Sequence, residues 1–334
     1  MNGVVSLNGS VGAVPLLRLG EKLMDIILHV GAHRTATTSF QRYLRDNSDA
    51  IAASKTGIWG PLRTRKGLFS GIFPGPKMQG RSPERVKGRV ALQLARAREN
   101  GVARLLVSEE NMIGSSRHCV RTGLLFPAAG DRMARYCAAF DGNITRIILN
   151  IRSPETWWSS AAAYAISRGH GVPSPSKLDK IAASPRSWRD VITDLACAVP
   201  DAEIKVATFE EYAGRPDALL AEATGVAAPV DRDHHWLNRA PDLPVLRAML
   251  AERGQDPDLL PDETGRWNPF NDAQAAALRE TYSDDLFWLT AGADGLAQLT
   301  ENSVRERAGT SQPSGDPKKG HPHDSRQRYL AQSG

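Results

Sequence analysis

Short apolar runs alternate with amphipathic segments along the chain. The runs have strand length and are rich in Ile, Leu and Val, and they are Asp25–Val30, Arg104–Ser108, Ile144–Ile151 and Lys205–Phe209. Such continuous runs are typical of strands that are buried on both faces of a sheet. Helices are predicted by apolar residues spaced three and four apart at Thr37–Arg45, from about Glu155, at Leu243–Arg253 and at Asp272–Leu289. The alternation predicts an α/β domain of three layers, with a mainly parallel central sheet flanked by helices.

The two ends of the chain lack this pattern. Residues 1–23 carry Gly, Ser and Asn without a period, and Met24 directly precedes the first predicted strand. Residues 301–334 are polar and rich in Gly, Pro, Ser and charge, a composition that buries too little apolar surface to offset the entropy of ordering. We therefore predict one domain over residues 24–300 between two disordered ends.

A basic segment at about residues 62–100 lies between the first predicted helix and the second predicted strand. Its Gly and Pro content at residues 71–80 predicts a mobile loop, followed by a helix. We interpret this segment as an insertion whose charge suits an acidic or glycan partner. Its cations are Arg63, Arg65, Lys66, Lys77, Arg81, Arg85, Lys87, Arg89, Arg96 and Arg98.

Composition narrows the function classes. A net charge of +5 over 334 residues is too small to indicate a nucleic-acid partner. The three cysteines are scattered, without disulfide or metal-ligand spacing. The paired His234 and His235 have no carboxylate or cysteine spaced to complete a ligand set, so no metal is predicted. With no long apolar run and no signal pattern, we expect no membrane insertion and a cytoplasmic location.

The loop after the first predicted strand is a candidate phosphate site. Its sequence is GAHRTATTS, and a predicted helix begins inside it. Backbone N–H groups at a helix start lack partners within the helix, and the helix dipole adds partial positive charge, so an anion is favoured there. Small residues let a phosphate approach, and hydroxyls add donors. The candidate binding residues are Gly31, Ala32, His33, Arg34, Thr35, Ala36, Thr37, Thr38 and Ser39.

This loop does not match either of two common nucleotide-binding motifs. A Walker A loop reads GxxxxGK[ST], but Thr37 occupies the lysine position and Arg34 lies inside the loop. A dinucleotide fold requires GxGxxG and a later acidic residue, and neither is present. A purely structural turn would not require His33 and Arg34 together. The pattern favours a phosphate loop of another kind.

A second candidate phosphate site follows the strand Ile144–Ile151. Arg152 comes directly after this strand, and Ser160 lies eight residues later, early in the next helix. Open α/β sheets bind ligands outside the carboxyl ends of their strands, so a cation and a hydroxyl in these places can reach one phosphate. Ser159 is the competing hydroxyl, but helix phase favours Ser160.

These motifs together resemble a known family. Residues 27–47, ILHVGAHRTATTSFQRYLRDN, look like the 5′-phosphosulfate loop of sulfotransferases that use 3′-phosphoadenosine-5′-phosphosulfate (PAPS). The closest resemblance is to a bacterial branch whose loop runs hhHIGxHKTGTTSxQ, and the Arg152 and Ser160 pair resembles the family's 3′-phosphate motif. Weaker matches continue to about Gly295. The resemblance implies a P-loop-like fold, PAPS as the donor, 3′,5′-adenosine bisphosphate (PAP) as the product, and no metal.

The resemblance also implies roles for single residues. Arg34 stands where the family has a lysine that contacts the bridging oxygen of the leaving phosphosulfate. Thr37, Thr38 and Ser39 stand where the family grips the 5′-phosphate. The sequence departs from the family pattern at two positions. Arg34 has a planar guanidinium where the family has the compact ammonium of a lysine. Ala36 replaces a glycine, and its Cβ is costly if that residue needs a positive φ.

A sulfuryl transfer also needs a group that takes the acceptor proton. The strand Arg104–Ser108 ends in Glu109 and Glu110, and in cytosolic sulfotransferases a base comes from the end of the corresponding strand. We predict Glu110 as the base, with Glu109 and His33 as alternatives.

The function predicted is transfer of a sulfuryl group from PAPS to a hydroxyl or amine of a glycan, lipid or small molecule. Two other interpretations stay open at this point. One is a P-loop kinase of small molecules. The other is a catalytically weak relative that binds a nucleotide or a glycan, which the Arg34 and Ala36 departures favour.

Overall fold

The computed structural model describes residues 24–73, 83–230 and 236–300. In these ranges one parallel sheet has the strand order β2-β3-β1-β4-β5-β6. The strands are β1 Asp25–His29, β2 Thr56–Trp59, β3 Arg104–Ser108, β4 Arg146–Ile151, β5 Glu203–Thr208 and β6 Gln298–Leu299. The α-helices are α1 Thr37–Asp46, α2 Ser48–Ala53, α3 Pro61–Arg63, α4 Pro83–Glu99, α5 Ser116–Thr122, α6 Ala129–Ala139, α7 Pro154–Ser167, α8 Pro175–Ala182, α9 Trp188–Ala198, α10 Phe209–Tyr212, α11 Pro216–Thr224, α12 Leu243–Glu252 and α13 Asp272–Thr290. A π-helical turn spans Thr64–Leu68, and 3₁₀ turns span Pro257–Leu259 and Ala293–Gly295.

Both faces of the sheet are buried. Successive strand residues point to opposite faces, so Ile26 and Leu28 of β1 join the larger core, which contains residues of α4, α6, α7, α9 and α13. Ile27 joins a second core with residues of α1 and α11. This arrangement confirms the predicted three-layer α/β fold with a parallel sheet.

The central strand β1 brings three loops to one edge of the sheet. It pairs in parallel with β3 on one side and with β4 on the other, and His29 is in register with Ser108. The loops after β1, β3 and β4 therefore leave the sheet at neighbouring positions. They carry the predicted phosphate loop, the Glu109 and Glu110 pair, and Arg152.

The basic segment at about residues 62–100 forms part of the domain. The sequence pattern did not predict β2, which lies before this segment and pairs in parallel with β3. Helix α4 follows and buries Val86, Val90 and Leu94 in the larger core. The segment is therefore the helical crossover of a βαβ unit.

The other predicted elements keep their places, with bounds shifted by one to a few residues. The predicted disordered ends, residues 1–23 and 301–334, lie outside the described residues, as do most of the predicted mobile loop and the histidines His234 and His235. Across the described ranges, no helix combines the length and apolar character that a membrane crossing requires.

Candidate functional site

The predicted phosphate loop has a strained backbone. Arg34 and Ala36 adopt left-handed conformations, with φ of 70° and 63°, and α1 begins directly afterwards at Thr37. Gly31 also has a positive φ, and a Cβ there would lie 2.6 Å from Thr37 Oγ1. The Thr35 hydroxyl closes the turn by donating to the Ala32 carbonyl at 2.6 Å. Non-glycine residues with left-handed backbone conformations cost energy and are found most often at functional sites. The strain in this loop therefore marks it as a candidate functional site.

Ala36→Gly should stabilise the protein. Alanine pays a steric penalty at φ 63° that glycine does not, while glycine adds entropy to the unfolded chain, so we expect a gain of up to about 1 kcal/mol in urea unfolding. The matched control is Ala276→Gly at an exposed position inside α13, which should cost about 1 kcal/mol. Equal losses for both variants would show that Ala36 is not left-handed in solution.

The two predicted phosphate sites meet. Arg34 Nε donates to Ser160 Oγ at 3.0 Å, and Arg152 Nη1 donates to the Arg34 carbonyl at 3.1 Å. Ser159 instead donates to the Glu155 carbonyl within its own helix, although both serines line the cavity described below. The Arg34 guanidinium also lies 4.7 Å from the Tyr164 ring centroid. The positive charge of Arg34 therefore lies next to Ser160, which is one of the two residues predicted to bind the second phosphate.

Arg152 is held rigidly. Its Nε donates to Thr156 Oγ1 at 2.9 Å, and its guanidinium lies over the Phe209 ring at 4.3 Å. The Trp188 indole donates to the Arg152 carbonyl at 2.8 Å. Burial lowers the pKa of Arg152 to about 10, which still leaves the side chain charged near pH 7. A guanidinium offers five N–H donors, so both arginines retain donors for an anion.

A cavity of about 460 Å³ joins these residues. Within the described part of the chain its charged lining is strongly basic, with six arginines against two glutamates. Of the loop residues, His33, Arg34, Ala36, Thr37 and Thr38 line it, and so do Arg152 and Ser160. Gly31, Ala32, Thr35 and Ser39 lie behind this wall. The remaining arginines of the lining are Arg65, Arg117, Arg239 and Arg266.

Residues 236–241, which we call the strap, form a wall that sequence reasoning missed. The Leu237 amide donates to Ser39 Oγ at 3.0 Å, and the Asn238 side chain donates to Thr38 Oγ1 at 3.0 Å. Arg34 Nη2 donates to the Asn238 carbonyl at 2.7 Å. Because the Thr38 hydroxyl accepts from the strap and lines the cavity, it keeps its own hydrogen to donate to a ligand.

An aromatic pair opens onto the same cavity. Trp236 of the strap is 44% exposed, and its ring lies 6.4 Å from that of Phe209, edge to face. Neither ring belongs to a sequence motif that indicates ligand contact. Trp157 and Trp158 are instead buried in the core, and the Trp157 indole donates to the His33 carbonyl at 2.6 Å. Trp236 and Phe209 line the cavity together with Tyr164 and Trp267, and Trp236 is the most exposed of these four rings.

The structure separates the two candidate glutamates. Glu109 is 2% exposed, and its carboxylate accepts from Thr64, Arg65 and Asn111. It does not line the cavity, whereas Glu110 does. Glu110 accepts from Gln41 at 2.9 Å and from Arg65 at 2.9 Å. Glu109 is therefore a structural anchor, and Glu110 is the carboxylate open to a ligand.

Glu110 and His33 are both in proton-accepting forms. Burial raises the pKa of Glu110, but hydrogen bonds from its own amide and from Gln41, together with nearby positive charge, bring the pKa below its ordinary value. Burial lowers the pKa of His33, so its ring is neutral near pH 7. His33 Nε2 donates to the Gly114 carbonyl at 3.1 Å, which leaves the other ring nitrogen unprotonated.

A second histidine, His29, lies under the loop and is 1% exposed. Burial lowers its pKa to about 4 from about 6.5. Between these values the unfolded chain binds more protons than the folded chain, so stability is full above pH 6.5 and falls as the pH drops toward 4. We expect protonation of His29 to lower the free energy of unfolding by about 3 kcal/mol as the pH falls from 6.5 to about 4. The measurement is urea unfolding against pH for wild type and His29→Asn, and the two pH slopes should differ in this window. Parallel slopes would contradict the assignment.

Metal ligands and cysteines add nothing to this site. Within residues 24–73, 83–230 and 236–300, no three His, Cys, Asp or Glu side chains are close enough together to hold a metal ion. Cys119 is buried, Cys137 is half-buried and Cys197 is exposed, and all three are free thiols. None of them lines the cavity.

Comparisons with known proteins add little to this geometry. No protein-family profile matches the chain, and no curated protein matches it. Among solved structures, the crystal structure of FtsY from Mycoplasma mycoides matches 78% of this chain and 68% of its own, with 11% identity and a TM-score of 0.26. A likeness at this level carries no conclusion, so the fold and the site stand on their own contacts.

Proposed function

We propose that the chain is a sulfotransferase that binds PAPS in the 460 Å³ cavity and transfers its sulfuryl group to an acceptor hydroxyl or amine. The observation that carries this proposal is the meeting of Arg34, Arg152 and Ser160 at one wall, joined by hydrogen bonds of 3.0 and 3.1 Å. A nucleotide with anionic groups at both its 5′ and 3′ ends needs two cationic sites on one cavity. The sulfotransferase family that the sequence resembles also pairs a 5′-phosphosulfate loop with an arginine and a serine that bind the 3′-phosphate.

Each end of the donor has residues suited to it. The start of α1, with the Thr37 and Thr38 hydroxyls, suits the 5′-phosphosulfate because helix N-termini favour anions. Arg152 and Ser160 suit the 3′-phosphate. The exposed ring of Trp236 would stack on the adenine, with Phe209 at the edge of the base, since aromatic faces bind flat bases without needing specific hydrogen bonds.

Catalysis would then need charge and a base. PAPS supplies a sulfuryl group whose transfer breaks the sulfur–oxygen bond to the phosphate and forms a sulfur–oxygen bond to an acceptor hydroxyl or a sulfur–nitrogen bond to an acceptor amine. Arg34 would stabilise the negative charge left on the departing phosphate. Glu110, ionised and open to the cavity, would accept the acceptor proton, with the neutral His33 as the second candidate.

The basic surface beside the cavity suits an acidic or glycan acceptor. Arg65 lies at the cavity wall and belongs to the crossover segment, and other cations of α4 are exposed to solvent. A screen of acidic and glycan acceptors tests this preference.

The test is transfer of label from radiolabelled PAPS to a panel of glycans, lipids and small phenols, with ATP carrying a labelled terminal phosphate as the parallel donor. We expect label transfer from PAPS and none from ATP. Transfer from ATP alone would favour the kinase interpretation. PAP binding without transfer to any acceptor, and without PAPS hydrolysis, would favour a non-catalytic relative.

A further inference from the structure

A row of buried polar side chains crosses the sheet beneath the site. His29 of β1, Ser108 of β3 and Asn150 of β4 are each no more than 2% exposed. Their neighbours on these strands are apolar, and buried polar groups are costly unless they are hydrogen-bonded. His29 Nδ1 lies 2.8 Å from Ser108 Oγ, and His29 Nε2 lies 2.9 Å from Asn150 Oδ1.

These contacts fix the direction of every hydrogen bond in the row. Asn150 Oδ1 can only accept, so His29 Nε2 carries the proton and donates. The imidazole is neutral because burial lowers its pKa to about 4, so Nδ1 is an acceptor. Ser108 must then donate its hydrogen to Nδ1, which leaves the lone pairs of Ser108 Oγ as acceptors.

The row continues to the candidate base through one side chain. Gln41 Nε2, on α1, donates to Ser108 Oγ at 3.2 Å and to Glu110 Oε2 at 2.9 Å. An amide nitrogen has two hydrogens, so it can make both bonds at once. The amide is thereby oriented with its donors, and not its carbonyl, toward the Glu110 carboxylate.

We propose that His29 is a positioning residue for Glu110, acting through Ser108 and Gln41. Its unprotonated Nδ1 turns the Ser108 hydroxyl so that Gln41 must present its amide hydrogens to the carboxylate. This role rests on the proposed function only in taking Glu110 as the base. The relay itself is a property of the folded chain with or without a substrate.

Other groups also face Glu110 and set its ionisation. Arg65 from the π-helical turn donates at 2.9 Å, and His33 from the phosphate loop lies close enough to contribute to its charge balance. Glu109 is the neighbouring carboxylate on the same loop. A change in the relay should therefore move the titration of Glu110 without abolishing it, since Arg65 and His33 remain.

The experiment follows the Glu110 side-chain carboxyl carbon by NMR against pH, in the full chain without ligand. Gln41→Leu removes the last link and His29→Phe the first, and both should move the Glu110 midpoint to higher pH. Because both act on one chain of contacts, the double variant should titrate as Gln41→Leu does alone. The matched control is His118→Phe, a histidine of α5 outside the cavity lining, which should leave the midpoint unchanged.

Activity gives the second readout. In both relay variants kcat should fall about 10- to 100-fold, the size of effect that a small misplacement of a catalytic group can have. The acidic limb of the rate–pH profile should move to higher pH in each variant, and the Kd for PAP should stay within about twofold of wild type. If His29→Phe does not fold, Ser108→Ala removes the middle link and should give the same shift.

The outcomes separate this proposal from the proposed function. A wild-type Glu110 midpoint in folded His29→Phe, or additive shifts in the double variant, would overturn the relay. Absence of PAPS-dependent transfer by the wild-type chain would overturn the sulfotransferase proposal and leave the NMR result to decide the relay.

Discussion

Glu110→Gln is expected to lower turnover of PAPS about 10²- to 10⁴-fold, the range that one acid–base group contributes. The substitution keeps the size of the side chain and removes its ability to take a proton. The carboxylate lines the cavity and is not among the groups expected to hold either phosphate. The Kd for PAP should therefore remain within about twofold of wild type. The measurements are steady-state transfer rates and titration calorimetry with PAP.

Two comparisons make this result specific. Glu280→Gln, at an exposed position of α13, is the control and should leave both turnover and PAP affinity unchanged. Wild-type turnover in Glu110→Gln would remove that residue as the base. Loss of turnover in His33→Asn with turnover retained in Glu110→Gln would assign the role to His33.

Arg152→Ala is expected to weaken PAP binding about 10- to 100-fold and to leave ADP binding nearly unchanged. Hydrogen bonds from a charged donor to a phosphate are each worth about 1.5–3 kcal/mol, and the ligand site loses a guanidinium already fixed by Thr156 and Phe209. ADP lacks the 3′-phosphate, so the Kd for ADP should be nearly the same in Arg152→Ala and in wild type. Calorimetry with both nucleotides measures the ratio.

The substitution series around Arg152 distinguishes charge from geometry. Arg152→Lys keeps the charge but loses the planar fork, so its PAP affinity should fall between wild type and Arg152→Ala. Arg42→Ala removes an exposed arginine that pairs with Asp46 outside the cavity, and it should bind PAP as wild type does. Equal losses for PAP and ADP in Arg152→Ala would show that this arginine does not hold a 3′-phosphate.

Local patterns explain why much of the fold could be predicted and why the candidate phosphate residues could be named from the sequence. The run Ile144–Ile151 reads as a buried strand from its composition, and the observed β4 is its last six residues. The loop Gly31–Ser39 joins a strand to a helix, so the prediction that its amides bind an anion follows from position alone. Ser160 could be preferred over Ser159 because helix phase is fixed by counting residues.

Other parts of the site depend on contacts between distant segments. Asn238 meets Thr38 across 200 residues of sequence, and no local period encodes that bond. The strap residues Leu237 and Asn238 therefore carried no signal as ligand-side residues. Glu110 is preferred over Glu109 from its position in the sequence, and the burial of Glu109 with its contacts to Thr64 and Asn111 separates the two carboxylates.

The two departures from the family loop have different physical outcomes. Ala36 adopts φ 63°, so its Cβ causes the steric penalty that the glycine of the resembled loop avoids. Arg34 uses its longer side chain to reach Ser160 and the Asn238 carbonyl, contacts that depend on its fork of donors. Both features could be named from sequence, but their consequences required the backbone dihedral and the partners.

One cavity of this protein should recognise a nucleotide phosphorylated at both its 5′ and 3′ ends. The most direct measurement is calorimetric titration of the full wild-type chain with PAP and, separately, with ADP, which carries the same number of phosphates but none at the 3′ position. We predict one PAP bound per chain, with an affinity at least about tenfold above that for ADP. Equal or tighter binding of ADP, or no binding of PAP, would contradict the account.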